Sequence, residues 1–445
     1  MMGKFQKYFE PLFTRYPNLF QQIQRSFILL TGNLLKILVG LIASSLLLRA
    51  LKPDQAGQMT LVLNVVGVFS VIGEFGLRDA AVNYIARYRQ NDLAQTVALT
   101  RAFFVAKLFF SLAASSAALI GAGWISNRFY QSTDITPLVH IAAFTLLTNG
   151  LLGFSIAILE AHQKFSLISR LNVIQASIRA ALIAYLFWRQ QLTLPIFFIF
   201  ESVLPLLVFL YTLHLQPIPD FRKSLMSLRP AWIMLFGFTK WLIFSTLFAV
   251  LVTRIDVLLL SYYHTSVVVG LYAATQTLIV RLNFIKGPIL TTAFAEACHC
   301  VTSFEQKAFI RGTLILTGGI TLLMIPLVIW GNFFIPLLFG SSYKQDSSTF
   351  IILLISFLLS LNIEPISYLL FPLNKAHLIA LRNLVQLFIT FLIGVWLIPK
   401  FGTTGAALTV LANTFVFTFL TIGLIARYLN NPDKVKGSQI LSDSL

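Results

Sequence analysis

Apolar residues fill the chain in runs of about 20, the length a helix needs to cross the hydrocarbon core of a bilayer, and short polar connections separate one run from the next. The pattern predicts spans over Phe27–Leu48, Gly57–Leu77, Val97–Ile125, Ile135–Leu159, Leu167–Trp188 and Leu194–Leu213. After a polar connection it predicts six more, over Trp232–Tyr262, Val267–Thr291, Ile310–Trp330, Phe350–Leu370, His377–Ile398 and Thr404–Ala426. The expected fold is all-α: a polytopic membrane protein of about twelve transmembrane helices. Residues 27–213 and 232–427 form the two six-helix lobes, and residues 214–231, with Pro217, Pro219 and Pro230, form the linker. Residues 1–26 place apolar side chains at helical spacing among lysines and arginines, which suits either an amphipathic helix on a lipid surface or a cytoplasmic tail. Residues 428–445 are polar and expected to be a disordered tail.

The two halves are related. Lys164–Arg179 matches Lys375–Thr390 without a gap, 211 residues on, at Lys164/Lys375, Leu167/Leu378, Ile168/Ile379, Asn172/Asn383 and Gln175/Gln386. A second pair at nearly the same offset sets Leu46–Gly57 against Leu258–Gly270. Two anchors at one period indicate an internal duplication. An even number of helices per half gives both halves the same orientation, so an axis along the membrane normal relates them and a binding site is expected between them. The copies part at Arg179, which falls opposite Thr390. A charge inside an apolar helix is costly, so this difference marks a functional candidate.

Composition settles the solvent. With 57% hydrophobic residues and a mean hydropathy of +0.82, the chain has more apolar surface than a soluble core hides. The net charge of +17 does not point to nucleic acid, because Lys and Arg gather in alternate connections. These are Lys4–Arg25, Arg78 to Arg89, Lys164, Arg222 to Arg229, Lys307, Lys375 and Arg427 to Lys436, which puts both termini in the cytoplasm. Cys298 and Cys300 flank His299 but lack a fourth ligand nearby, so a reduced loop is expected rather than a metal site.

Polar residues inside the spans fall on single faces. The first span carries Asn33, Lys36, Gly40 and Ser44, and the fifth carries Asn172, Gln175 and Arg179. The third adds Lys107, and the eleventh adds Asn383, Gln386 and Thr390. Helix packing accounts for the small residues. Lys36, Lys107 and Arg179 sit near mid-span without a carboxylate at helical spacing, which points to a cavity, with a buried pair to Glu201 as the other reading for Arg179. Lys240 and Arg281 are weaker candidates, and Arg254 and Asp256 are expected to neutralise nearby charge rather than touch a ligand. Glu74, Glu201 and Glu364 are each a proton or sodium site, a partner for a cavity cation, or an interfacial group.

Three stretches carry a resemblance: G-Q-M-T-L-V-L-N-V-V-G-V-F-S-V-I-G-E-F-G-L-R-D-A-A-V-N-Y-I-A-R from Gly57 to Arg87, R-I-D-V-L-L-L-S-Y-Y followed by V-G-L-Y-A-A from Arg254 to Ala274, and I-P-K-F-G-T-T-G-A-A-L-T from Ile398 to Thr409. Together they resemble the polysaccharide transporter, or O-antigen flippase, family, in the larger group with multidrug and toxin extruders and peptidoglycan-precursor flippases. The resemblance implies two six-helix lobes around a central cavity. It also implies translocation of an undecaprenyl-diphosphate-linked oligosaccharide across the bacterial cytoplasmic membrane, with a polysaccharide polymerase as a further partner. The cations fit that substrate independently. Arg179 would grip diphosphate oxygens in a fork, Lys36 and Lys107 would add charge, and Asn33, Asn172, Gln175, Asn383 and Gln386 would bond sugar hydroxyls. No phosphate-loop motif is present, so no nucleotide cofactor is expected and an ion gradient, the membrane potential or consumption of product would drive transport. The alternative of the same fold is a drug or metabolite extruder. A membrane enzyme would need a long external loop or an acidic cluster, neither of which the sequence contains.

Overall fold

The computed structural model describes residues 35–74, 76–89, 92–130, 133–215, 228–299, 303–343, 347–370 and 376–429. Residues 35–50 are helical and form α1. The first half continues through α2 (Pro53–Glu74), α3 (Leu77–Tyr88), α4 (Leu93–Trp124), α5 (Thr136–Ala161), α6 (Phe165–Trp188) and α7 (Leu194–Leu215). The second half contains α8 (Leu228–Val252), α9 (Ile255–Tyr263), α10 (Ser266–His299), α11 (Ser303–Phe339), α12 (Ser347–Ser367) and α13 (Ala376–Leu429). Among the described residues nine helices are long and apolar enough to cross a membrane, or ten if α8 and α9, bent by 44°, form one broken span. The expectation of twelve differs because α13 runs through two expected stretches, turning at Gly402 with φ of 54°, and because the first span is described only from residue 35.

Local chemistry sets the helix ends. Asp92 caps α4, its carboxylate accepting the Gln95 amide at 2.9 Å and satisfying an amide that the first turn leaves open. Gln163 and Gln190 take left-handed φ values of 58° and 56°, stopping α5 and α6. Pro53 opens α2, where its missing N–H costs nothing.

Connectivity makes the spans alternate between two faces. The end of α7 and the start of α8, which the linker joins, and the α5–α6 turn lie on one, and the starts of α2 and α10 lie on the other. On this second face the two halves are sealed by residues that the repeat equates. A Cβ added to Gly57 would overlap the Ser266 carbonyl oxygen, and one added to Gly270 would overlap the Pro53 carbonyl oxygen. The contact is reciprocal: each glycine faces the carbonyl one turn before the other, so two backbones meet where no side chain fits. Ser266 donates to the Asp54 carboxylate beside the crossing. Arg49 Nε donates to the Leu338 carbonyl at 2.8 Å, and the Tyr343 hydroxyl to the Leu51 carbonyl at 2.7 Å. Burial pushes the Tyr343 phenol up in pKa, so it stays a donor. One apolar cluster joins the halves here, including Leu47, Leu51, Val62, Tyr272, Phe339 and Tyr343.

Towards the linker face α8 crosses over. Trp232 stacks on Phe236 with ring centroids 5.3 Å apart, and Phe236 packs against Phe110 of α4 at 6.0 Å. The first turns of α8, expected to begin the second lobe, thus rest on the first. Cys300 and the side chains of Cys298, His299 and Lys240 lie outside the described residues, as do residues 1–34, including Asn33, and the tail from 430.

Gly57→Ala and Gly270→Ala should each force the crossing apart, at a cost of about 1–3 kcal/mol for overpacking. A disulfide between cysteines placed at Asp54 and Ser266 reads the closure. Its yield should fall roughly five- to a hundredfold in either glycine variant, and an unchanged yield would show that the backbones do not touch there.

Candidate functional site

Behind the glycine crossing lies a cavity of about 300 Å³ between α1, α6, α7 and α10. On α1, Lys36, Gly40, Ser44 and Leu47 follow at three- and four-residue steps and line one wall. On α6, Asn172, Gln175, Ala176 and Arg179 line the opposite wall, the face that the organising repeat predicts. Gly40 has a specific reason to lack a side chain: its Cβ would lie 2.9 Å from Nη1 of Arg281, which reaches in from α10. Leu204, Pro205 and Ile183 complete the apolar part of the lining, and Asn149 comes in from α5.

The electrostatics are lopsided. Lys36, Arg179 and Arg281 converge on the cavity, and among the described residues the only carboxylate in its lining is Glu201. Arg179 Nε sits 2.6 Å from Glu201 Oε1, yet that oxygen has no hydrogen bond, so the attraction is Coulombic rather than a directed N–H to oxygen bond. The Arg179 side chain keeps 43% of its surface exposed, leaving its outer nitrogens to the cavity, and its guanidinium lies 5.9 Å from the Phe197 ring centroid. Lys36 and Arg281 have no ion-pair partner among the described residues.

Several expected ligands sit elsewhere. Lys107, expected beside Lys36, is only 2% exposed inside the first half and pairs with Glu74 at 3.0 Å. It also donates to the Gly73 carbonyl at 3.0 Å. The pair lines a separate chamber of about 60 Å³, which shares Asn149 with the main cavity. Glu364 pairs with Lys286, whose Nζ also donates to Ser360 Oγ at 3.1 Å. Asn383 and Gln386 are each 8% exposed and do not line the cavity. Gln386 donates to Asn413 Oδ1 at 2.6 Å and Thr390 to the same oxygen at 3.0 Å.

The duplication explains this. Arg179 pairs with Glu201 in one half, while its repeat counterpart Thr390 bonds Asn413 in the other: an ion pair beside a cavity in one copy and a closed hydrogen-bond cluster in the other. Arg254 and Asp256 are not within ion-pair distance, but each feels the other's charge. Asp256 accepts from the Tyr272 hydroxyl at 2.5 Å and from Gln276 at 3.3 Å. Sequence reasoning missed Asn149, Lys286 and Arg382, the last of which stacks over Phe417 at 4.6 Å. Gly40 carried the usable signal for Arg281, since a glycine one turn after Lys36 marks a close approach. Among the described residues no group of three metal-ligating side chains occurs.

A duplicated bundle closed on one face, with a cavity walled by the first half and reached by Arg281 of the second, has the build of a membrane transporter. The family model described as "Polysaccharide biosynthesis protein" matches residues 23–294, and the chain belongs to that family. Among curated proteins no match is found. The fold is similar to that of the lipid II flippase MurJ in an inward closed conformation, at 12% identity and a TM-score of 0.71, covering 91% of this chain and 87% of that one. It is similar also to a multidrug resistance MATE family transporter in its inward-facing conformation, at 13% identity and a TM-score of 0.63, covering 90% and 96%. A eukaryotic MATE transporter follows at 12% identity and a TM-score of 0.56, covering 92% and 98%.

The Lys107–Glu74 pair is asymmetric, since Glu74 is 49% exposed and its partner is not. Glu74→Gln should therefore strand a buried ammonium and cost on the order of 1–3 kcal/mol, lowering thermal stability in detergent. Lys107→Met leaves a carboxylate that water reaches and should cost less. The reverse order would argue that Lys107 is held by something other than this pair.

Proposed function

We propose that the chain is a flippase for a polyprenyl-diphosphate-linked oligosaccharide, moved by alternating access from the cytoplasmic to the outer leaflet of a bacterial cytoplasmic membrane. The observation that carries this reading is the convergence of Lys36, Arg179 and Arg281 from α1, α6 and α10 on one cavity with a single carboxylate. An excess of positive charge with one counter-ion is stabilised by an anion that arrives with the substrate, and a diphosphate offers oxygens on two phosphoryl groups. The guanidinium of Arg179 meets two such oxygens at once, whereas Lys36 acts as a point charge. Asn149, Asn172 and Gln175 supply uncharged donors and acceptors for the sugar next to the diphosphate.

The lipid tail has a place as well. Of the candidate spans α6 is the least buried inside the protein, with only Ile168, Ser169, Leu171 and Ile183 fully covered. The helix that carries Arg179 thus stands between cavity and bilayer, and a prenyl chain leaves past it into lipid while the head group stays inside. The MATE likeness keeps a drug extruder as a second reading. Organic cations need an acidic cavity, and this lining is basic.

Glu201 is the proposed coupling group. Diphosphate oxygens displace it from Arg179, and the freed carboxylate takes up a proton from the cytoplasmic side, or binds a sodium ion, and travels neutral. Glu74 and Glu364 keep their own cations, Lys107 and Lys286. Arg179→Ala should reduce transport at least tenfold with insertion intact, and Arg179→Lys should restore part of it. The deciding variant is the double change of Arg179 and Glu201 to alanine. If the pair were only structural, removing both partners would restore transport. The ligand role expects no rescue, measured as surface polysaccharide made by a flippase-deficient strain per amount of inserted protein. Glu201→Gln should transport without responding to an imposed ion gradient, and a parental response would remove Glu201 from the coupling role.

A further inference from the structure

A second pocket, roughly 480 Å³, opens between the halves on the face that the glycine crossing seals. Its walls are Leu61 of α2, Tyr130 and Ile135 from the connection after α4, and the end of α9 with the start of α10, from Ser261 to Ser266 and Val268. Among the described residues its lining contains no Lys, Arg, Asp or Glu. It offers phenol rings and hydroxyls: Tyr262 and Tyr263 meet edge to face at 5.0 Å and are both exposed. The third phenol, Tyr130, is only 7% exposed, and its hydroxyl has no hydrogen-bond partner. A buried phenol left without a partner needs an account.

One layer deeper sits Arg254, at the break where α8 bends into α9. Leu61 lines the pocket, and the guanidinium meets α2 at Leu63 and Gly67, a few ångströms further in at about 1.5 Å per residue. Its Nη1 donates to the Leu63 carbonyl at a long 3.4 Å. It fills the space that a Cβ on Gly67 would take. No carboxylate lies within ion-pair distance of it among the described residues. Asp256, two residues on, accepts from Tyr272 and Gln276 through one oxygen and acts on Arg254 by charge alone, without a direct contact. The Tyr130 phenol, raised in pKa by burial, lies close enough to feel the Arg254 charge. The guanidinium is thus wedged between halves that must part if this face opens, next to an uncharged pocket rich in phenols.

We propose that Arg254 and this pocket form an exit-side subsite for the junction between diphosphate and first sugar, used once α2 moves off Arg254. The proposal rests on the flippase reading and extends it. Arg254 receives the phosphoryl oxygens that Arg179 releases, the Tyr262 and Tyr263 rings stack on the apolar face of the sugar, and the Tyr130 hydroxyl gains the bond it lacks. The absence of charge in the pocket suits a glycan, and the guanidinium below it suits a phosphate. The two sites together carry the head group across without leaving its charge unmatched in the low-dielectric layer.

The test places a benzophenone amino acid in turn at Tyr263, in the pocket, and at Ala176, in the cavity, in host membranes whose lipids carry radioactive phosphate. Both positions should capture a phosphate-labelled lipid on illumination. Arg254→Gln, which keeps a donor for the Leu63 carbonyl and loses the charge, should cut the yield at position 263 about fivefold or more and leave position 176 unchanged; Arg254→Lys should retain most of it. Capture at 176 but not at 263 would overturn the exit subsite and leave the flippase reading standing. Parental yields in Arg254→Gln would make the residue a tie to α2 and nothing more. No labelled lipid at either position would remove the flippase reading together with the proposal.

Discussion

The structure depends on two backbones that touch. Gly57 and Gly270 are repeat-related, and each occupies the place where the other helix presents a carbonyl oxygen, so α2 and α10 cross at a distance that any side chain forbids. That contact closes one face, and everything of functional interest is arranged around it. The cationic cavity lies on its inner side, Arg254 is wedged beside it, and the phenol-lined pocket lies on its outer side. Packing and carbonyl contacts hold such a crossing, while water cannot enter to loosen it.

The duplication that produced the crossing also made the site asymmetric. In the first half the stripe of Asn172, Gln175 and Arg179 faces open space, with Glu201 as counter-ion. In the second half the same register holds Asn383, Gln386 and Thr390, and Asn413 ties the last two together. A symmetric pair of such cavities would have to match charge in both; here one copy opens on a cavity and the other is braced by hydrogen bonds.

Helix-based features were legible in the sequence. Spans follow from apolar run length, the repeat from matched residues, and the α6 face from periodicity, because Asn172, Gln175 and Arg179 lie on one helix and their spacing alone sets their direction. Partners across helices were not legible. Lys107 reads as a cavity cation until Glu74 is found beside it, and Glu364 reads as an open carboxylate until Lys286 meets it. Which helix neighbours which is decided by packing of small residues, and the sequence of one helix carries little of that. Arg281 was underrated for the same reason, since its place in the cavity depends on the gap left by Gly40 on a helix of the other half. The count of spans was blurred by geometry, because α13 turns at Gly402 without a break.

The central claim is that the cavity selects for the diphosphate. The most direct measurement is equilibrium binding to the purified protein in nanodiscs of three lipids with the same prenyl chain, ending in a sugar diphosphate, a sugar monophosphate or an uncharged sugar, with a lipophilic organic cation as the fourth ligand. The account predicts that the diphosphate binds at least tenfold more tightly than the monophosphate, that the uncharged lipid binds more weakly still, and that added salt narrows these differences. Equal binding of all three lipids, or tighter binding of the organic cation than of the diphosphate, would contradict it.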